Sequence, residues 1–311
     1  MCSPDIPWHV IWGFGGHIKS TATTLIIQKN SSIEEIPIES VDHLLVVGGH
    51  NIHTSTVIHL LRQNSSISFF DADGTPMGVL RPYGKKPEEE MAELQSEGSS
   101  YNSAAEIVRA SIKARIMMIE KEGNETDREL YYKGEDEILF TALEEIDYLI
   151  KMEELRRIQK FTSDMYYEIL GRSLNPHHGF KRRTSRPHVD PVNSMLSLGY
   201  SILFGNCCVP VTGAHLDPDR GILREGTNSL IIDLIDPLKP FMVDSVVFSM
   251  AREYLTGEMY ETNTKRCHLD QGTLRLLSDA LKSSIDQRKI DENVLSYRDS
   301  LINRKPLKFS Y

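Results

Sequence analysis

Residues 229–236, SLIIDLID, set two aspartates inside an apolar run. A chain that buries Leu230, Ile231, Ile232, Leu234 and Ile235 must take Asp233 and Asp236 at least partly with them. Ionised carboxylates cost several kcal/mol each to withdraw from water unless a cation or a donor network answers them. On a helix, a spacing of three puts both carboxylates on one face, so a shared partner is expected: an arginine, another cation or a metal. Upstream, Asp190-Pro191 is a helix-start signal, because an acidic cap accepts orphan backbone N–H groups and proline suits the first helical position. Residues 192–204 carry Met195, Leu196, Leu198, Leu203 and Phe204. That run is too apolar all round for a surface helix, which marks it as buried. Gly205-Asn206 is expected to end it.

At 311 residues the chain has room for two domains with sizeable cores. No run of ~18 consecutive apolar residues marks a transmembrane helix. The opening MCSPDIPW lacks the basic and apolar regions of a secretory signal. The cysteines, Cys2, Cys207, Cys208 and Cys267, form no CxxC pair, which points to a reduced, cytoplasmic protein with small buried thiols. A net charge of −9 disfavours nucleic-acid binding unless positive charge is gathered on one face.

The fold class expected is α+β. Residues 1–84 read as a β-rich domain. WHVIW, TLII, HLLVV and ISFF are short β-prone runs, Asp73-Gly74 is a hairpin turn, and residues 55–63 have helical spacing. Residues 85–100, KKPEEEMAELQSEGSS, read as a charged linker. Residues 101–311 read as an all-helical domain. Ser103 and Glu106 have capping-box spacing, Gly123-Asn124 is a stop, and a second helical region over 136–170 is broken at least once.

The turn at Gly13, Gly15 and Gly16 lacks phosphate-loop spacing and reads as a glycine turn between strands. His43, His50, His53 and His59 alternate between faces and need not converge on a metal. His215 reads as a surface loop histidine. Residues 172–188 gather Arg172, Lys181, Arg182, Arg183 and Arg186 without an acid, interleaved with His177, His178 and Phe180. Such clusters contact phosphates, and an aromatic among them can stack on a base.

Four spaced motifs occur in order: DPVN with LSLGY, LDP with G-x-L, SL-x2-DLID-x2-K-P, and Val243-Asp244. Together with the N-terminal rhythm VVGG…DADG…RP, this order resembles the CRISPR-associated endonuclease that integrates new spacers ("Cas one", the adaptation integrase), over nearly the whole chain. The resemblance implies an N-terminal β domain that builds a homodimer. It also implies a helical domain facing DNA (CRISPR repeat and spacer precursor), a small partner protein ("Cas two"), and a Mn2+ or Mg2+ ion that activates a hydroxyl against a phosphodiester. The family's metal-ligating Glu lies seven residues before an aromatic pair. Tyr166-Tyr167 match the pair, which puts Gln159 at the ligand position. The family His after G-x-L falls on Arg224, and the acid of DL-x-E/D falls on Asp236, with Asp233 beside it. Glutamine is a poor ligand and arginine cannot ligate, so Arg224 is expected to pair with Asp233 or Asp236 in place of a metal. Glu154, Glu168, Glu225 and His215 are the nearby side chains that could substitute. Two functions follow: a metal-dependent integrase acting through Asp236, or a non-catalytic paralogue that binds DNA or scaffolds.

Overall fold

The computed structural model describes residues 6–98 and 101–311; Cys2 and the last two residues of the expected linker lie outside the described residues. The N-terminal part holds β1 (Trp8–Trp12), β2 (His17–Ser20), β3 (Thr24–Lys29), β4 (Ser32–Pro37), β5 (His43–Val47) and β6 (Asn51–Ile52), followed by α1 (Thr54–Arg62), β7 (Ser66–Phe70) and β8 (Pro76–Leu80). One sheet runs β1-β5-β7-β8, with β1, β5 and β7 parallel and β8 antiparallel to β7. The other runs β4-β3-β2-β6. Strand β5 is buried on both faces, as its unbroken apolar run demands. Leu44 and Val46 join Ile11, Ile18, Leu25 and Leu60 in the core between the sheets and α1. Leu45 and Val47, on the opposite face by the two-residue alternation of a strand, join Trp8 and Phe70 in the larger helical core. The sheet is thus a shared wall. The expected strands all form; β2, β4 and β6 are additional.

The helical part comprises α2 (Pro87–Gly98), α3 (Tyr101–Thr126), α4 (Glu135–Glu145), α5 (Met152–Gly171), α6 (Pro191–Gly213), α7 (Ser229–Ile235) and α8 (Ser245–Glu253). A short antiparallel ribbon, β9 (Tyr260–Thr262) with β10 (Cys267–Leu269), precedes α9 (Gln271–Ser284) and α10 (Gln287–Asn303). This ribbon corrects the all-helical expectation. The stretch read as a linker is also largely helix: α2 buries Met91 and Gln95, and the Gln95 side chain holds the backbone of Asp217 and Arg220. Its charges are one solvated face of a docked helix. Helix α3 is already under way at Tyr101 and runs past Gly123 to Thr126. Ser103 and Glu106 therefore lie inside it, and Glu106 pairs with Arg109.

Helix α6 is the central pillar. Asp190 caps it, its carboxylate accepting from the backbone N–H of Asn193 at 2.8 Å, and Pro191 opens it. By length and composition it could cross a membrane, yet it packs against α7, α8 and α10 as the core of this fold. It does not end at Gly205 but runs on to Gly213. Gly205 is there for proximity: a Cβ on it would sit 1.9 Å from the carbonyl oxygen of Asp73, in the turn between β7 and β8. Gly74 meets Gly205 reciprocally, with φ +86°, a conformation open to glycine. The β7–β8 turn and α6 touch backbone to backbone.

Candidate functional site

Asp233 and Asp236 lie on one helical run, α7 passing through a 3-10 turn (Asp236–Leu238) and a π turn (Pro240–Asp244) into α8. Pro237 and Pro240 cannot donate to the helical ladder, which accounts for the irregular turns at this point. The two carboxylates do different work. Asp233, fully buried, turns Oδ2 to three successive backbone N–H groups, those of Ile222, Leu223 and Arg224, at 2.8, 2.8 and 3.1 Å. Its Oδ1 accepts from Arg224 Nη1 at 2.7 Å. Asp233 is therefore the anchor of the G-I-L-R loop.

Asp236 sits in a shell of donors from four elements. Arg115 of α3 approaches Oδ2 at 3.0 Å, Lys239 approaches Oδ1 at 2.7 Å, and Arg224 stands 3.6 Å from Oδ2. Gln159 of α5 donates its amide N–H to Oδ2, and Ser111 Oγ lies at 3.3 Å. Burial works to raise the Asp236 pKa, but Lys239, Arg224 and Arg115 outweigh it and hold the carboxyl well below its usual range. Burial likewise opposes charge on Arg224, and Asp236 and Asp233 more than offset it. Gln159 Oε1 is buried without a hydrogen-bond partner.

Beside this cluster, Asp244 is fully buried. It accepts from Tyr166 OH at 2.8 Å and Tyr200 OH at 2.5 Å, and Tyr200 in turn meets Tyr167 OH. Burial pushes the Asp244 carboxyl up to about 6, against the pull of the Tyr200 and Tyr166 hydroxyls. Spacing showed the aromatic pair, but nothing local in the sequence shows that Asp244, more than seventy residues on, receives its first hydroxyl.

Of the acids and histidine that could have entered the centre, none does. Glu154 caps α5 through the N–H of Lys151, and Glu225 pairs with Arg156 at 2.6 Å. Glu168 lies with Asp164 beside Arg182 and Arg183. His215 is not the surface histidine expected. It stacks on buried His43 with ring centroids 4.5 Å apart, burial holding both pKa values down. The other N-terminal histidines disperse: His50 accepts from the Gly16 N–H and His59 meets Ser20.

A groove of about 1320 Å³ opens between the β7–β8 turn and the helices. Arg183, Arg186, His188, Tyr200, Lys239 and Lys282 are among the residues lining it. Arg183 is held by Asn193 Oδ1 at 2.7 Å and Ser197 Oγ at 2.6 Å, both neutral partners. Lys181 and Arg182 are exposed. Three members of the basic stretch depart from expectation. Arg172 is a structural brace, paired bidentately with Glu135, bonded to the Leu130 carbonyl and stacked 3.6 Å over Tyr132. Phe180 is buried edge-to-face on Phe248, so it presents no face to a base. His178 is buried against the Leu255 carbonyl.

The model of the family described as "CRISPR associated protein Cas1" matches residues 9–283. The chain belongs to the Cas1 family. It is thereby a CRISPR adaptation protein of the spacer-integration family. It is 40% identical over 283 residues, 91% of this chain and 93% of the relative, to a putative CRISPR-associated endonuclease, Cas1 2, of Methanospirillum hungatei. Among solved structures it is similar to a casposase bound to integration product, with TM-score 0.82, 15% identity, and coverage of 97% of this chain and 96% of that one. It is also similar to a chain of a partial Cas6-RT-Cas1–Cas2 complex, with TM-score 0.75, 18% identity, and coverage of 97% of each chain.

The Cas1 centre read from the sequence does not fit a divalent ion here. Both Asp236 oxygens are engaged by cationic groups or amide N–H at contact distance. Arginine and lysine bring no lone pair to a metal. Placed about 4 Å from a doubly charged ion, one guanidinium repels it by about 8 kcal/mol at an effective dielectric near 20. Among the described residues no three His, Cys, Asp or Glu side chains gather as a ligand set.

Proposed function

We propose that this Cas1-family protein serves spacer acquisition by binding DNA, with the family's metal position closed by fixed charge. The observation that carries this reading is the engagement of Asp236 by Arg115, Arg224 and Lys239, with Gln159 donating as well. The ligand is DNA, repeat or spacer precursor, held along the groove by Arg183 and Arg186 with exposed Lys181 and Arg182 nearby. Gathering Arg183, Arg186, Lys239 and Lys282 along one groove answers the chain's net charge of −9. Self-association is assigned to residues 1–84. Strand β8 is exposed along its whole length, with Met77, Val79 and Leu80 open to solvent, and an unpaired edge of that kind invites a second strand. The partner assignment to the small Cas2 protein draws on the Cas1–Cas2 complex among the structural neighbours. A cytoplasmic site of action agrees with free Cys207, Cys208 and Cys267.

The test is a strand-transfer and cleavage assay on branched and linear DNA in Mn2+ and in Mg2+. The natural chain is expected to bind without cutting or joining, while the Gln159→Glu, Arg224→His double variant acquires metal-dependent activity. Metal-dependent cleavage by the natural chain, abolished by Asp236→Ala, would show the reading of the centre to be wrong.

A further inference from the structure

We infer that Arg224 is a metal-independent seat for a DNA backbone phosphodiester, placed where the family sequence pattern has its histidine; this rests on the DNA-binding reading above. The cluster faces its carboxylates inward and a cation outward. The side chains of Asp233, Asp236 and Arg115 are 0%, 4% and 6% exposed, whereas that of Arg224 is 31% exposed. Of the cations on these carboxylates, Arg115 is buried and Lys239 is 17% exposed, so Arg224 is the one that most faces an incoming ligand. Asp233 takes Nη1, and Asp236 stands at ion-pair distance from Nη2. Part of the five-donor guanidinium fork remains for two phosphate oxygens.

The fork is also preorganised. The Arg224 backbone N–H is pinned to Asp233. Arg156, one turn before Gln159 on α5, holds both neighbours of Arg224, donating Nε to the Leu223 carbonyl at 2.7 Å and Nη2 to Glu225 at 2.6 Å. A guanidinium fixed in this way loses little side-chain entropy on meeting an anion. Lys239 ties the seat to the groove, because its ammonium bonds Asp236 while the residue lines the groove wall. DNA binding at the centre is therefore indifferent to divalent metal, and Arg156 is a positioning residue that acts through Arg224.

Fluorescence anisotropy with labelled branched DNA, in EDTA and in Mg2+, tests this on the full-length protein. The natural chain is expected to bind equally in both, within about twofold after correction for ionic strength. Arg224→Gln is expected to lose about tenfold in affinity and to flatten the slope of log K against log salt by about one. Loss of the natural chain's binding in EDTA, or an Arg224→Gln protein that binds and responds to salt as the natural chain does, overturns the inference. Should Arg224→Gln fail to fold, phenylglyoxal modification of the natural chain in EDTA supplies the reading. DNA is expected to protect Arg224, and unprotected Arg224 on bound protein overturns the inference. A Lys181, Arg182, Arg183 triple glutamine variant separates the two claims. If it weakens binding while Arg224→Gln does not, only the Arg224 seat fails; if the natural chain binds no DNA, the underlying reading fails with it.

Discussion

Replacing Asp236 with alanine separates a salt-bridged centre from a metal centre without any catalytic assay. In a site built for a metal, crowded acids repel one another when no ion is present, and removing one relieves strain. Here the same change strands Arg115, whose side chain is 6% exposed, together with Lys239, and leaves Arg224 to Asp233 alone. Two charges 3 Å apart attract by about 5 kcal/mol at an effective dielectric near 20, and taking one partner from a buried pair costs about 3–5 kcal/mol because the other is left buried and unanswered. At roughly 2 °C per kcal/mol for a chain of this size, the melting temperature of Asp236→Ala should fall by on the order of 6–10 °C. Melting followed by circular dichroism in EDTA measures it. Adding Arg115→Met should recover part of the loss, since an apolar replacement removes the orphaned charge. An Asp236→Ala protein that melts at or above the natural chain in EDTA would refute the account of the cluster.

Two further expectations concern stability. Asp244 has a folded pKa raised to about 6, so the folded state holds a proton that the unfolded state has already lost. Its contribution is present below the ordinary carboxylate pKa and fades as pH rises through about 6. Asp291, raised likewise by burial, stays constant in a comparison with Asp244→Asn. The stability difference between the natural chain and that variant, from urea unfolding, should therefore shift in favour of the variant between about pH 4 and 7; a flat difference would argue that burial does not raise the Asp244 carboxyl. Gly205→Ala puts a methyl group against the Asp73 carbonyl and should destabilise by about 1–3 kcal/mol through forced backbone movement; an unchanged melting temperature would mean that the contact is slack.

The expected strands and most of the helices were legible because their signals are local: the apolar run of β5, the acidic cap and proline of α6, the helical spacing within residues 136–170. The misreadings share a cause. Gly205 looked like a helix end because glycine is a weak helix former, while its use here is to admit a backbone from far upstream. Residues 87–98 looked like a linker because their charges outnumber two buried residues, Met91 and Gln95, whose partners are remote. At the centre, motif spacing indicated Gln159, Arg224 and Asp236. Arg115 and Lys239 were not singled out: Arg115 comes from the middle of a long helix more than a hundred residues away, and Lys239 stood in plain view inside the motif as an ordinary lysine. Arg172 and Phe180 were over-read, since a basic stretch in sequence does not say which of its members the fold spends on its own acids and its own core.

The backbone contact between the β7–β8 turn and α6 has a mechanical meaning. The hairpin that offers β8 as an open edge also forms one wall of the basic groove. No side chain stands between turn and helix, so the two backbones leave no room for one at this wall. A strand added along β8 would therefore lie on the same hairpin that walls the channel beside Arg183.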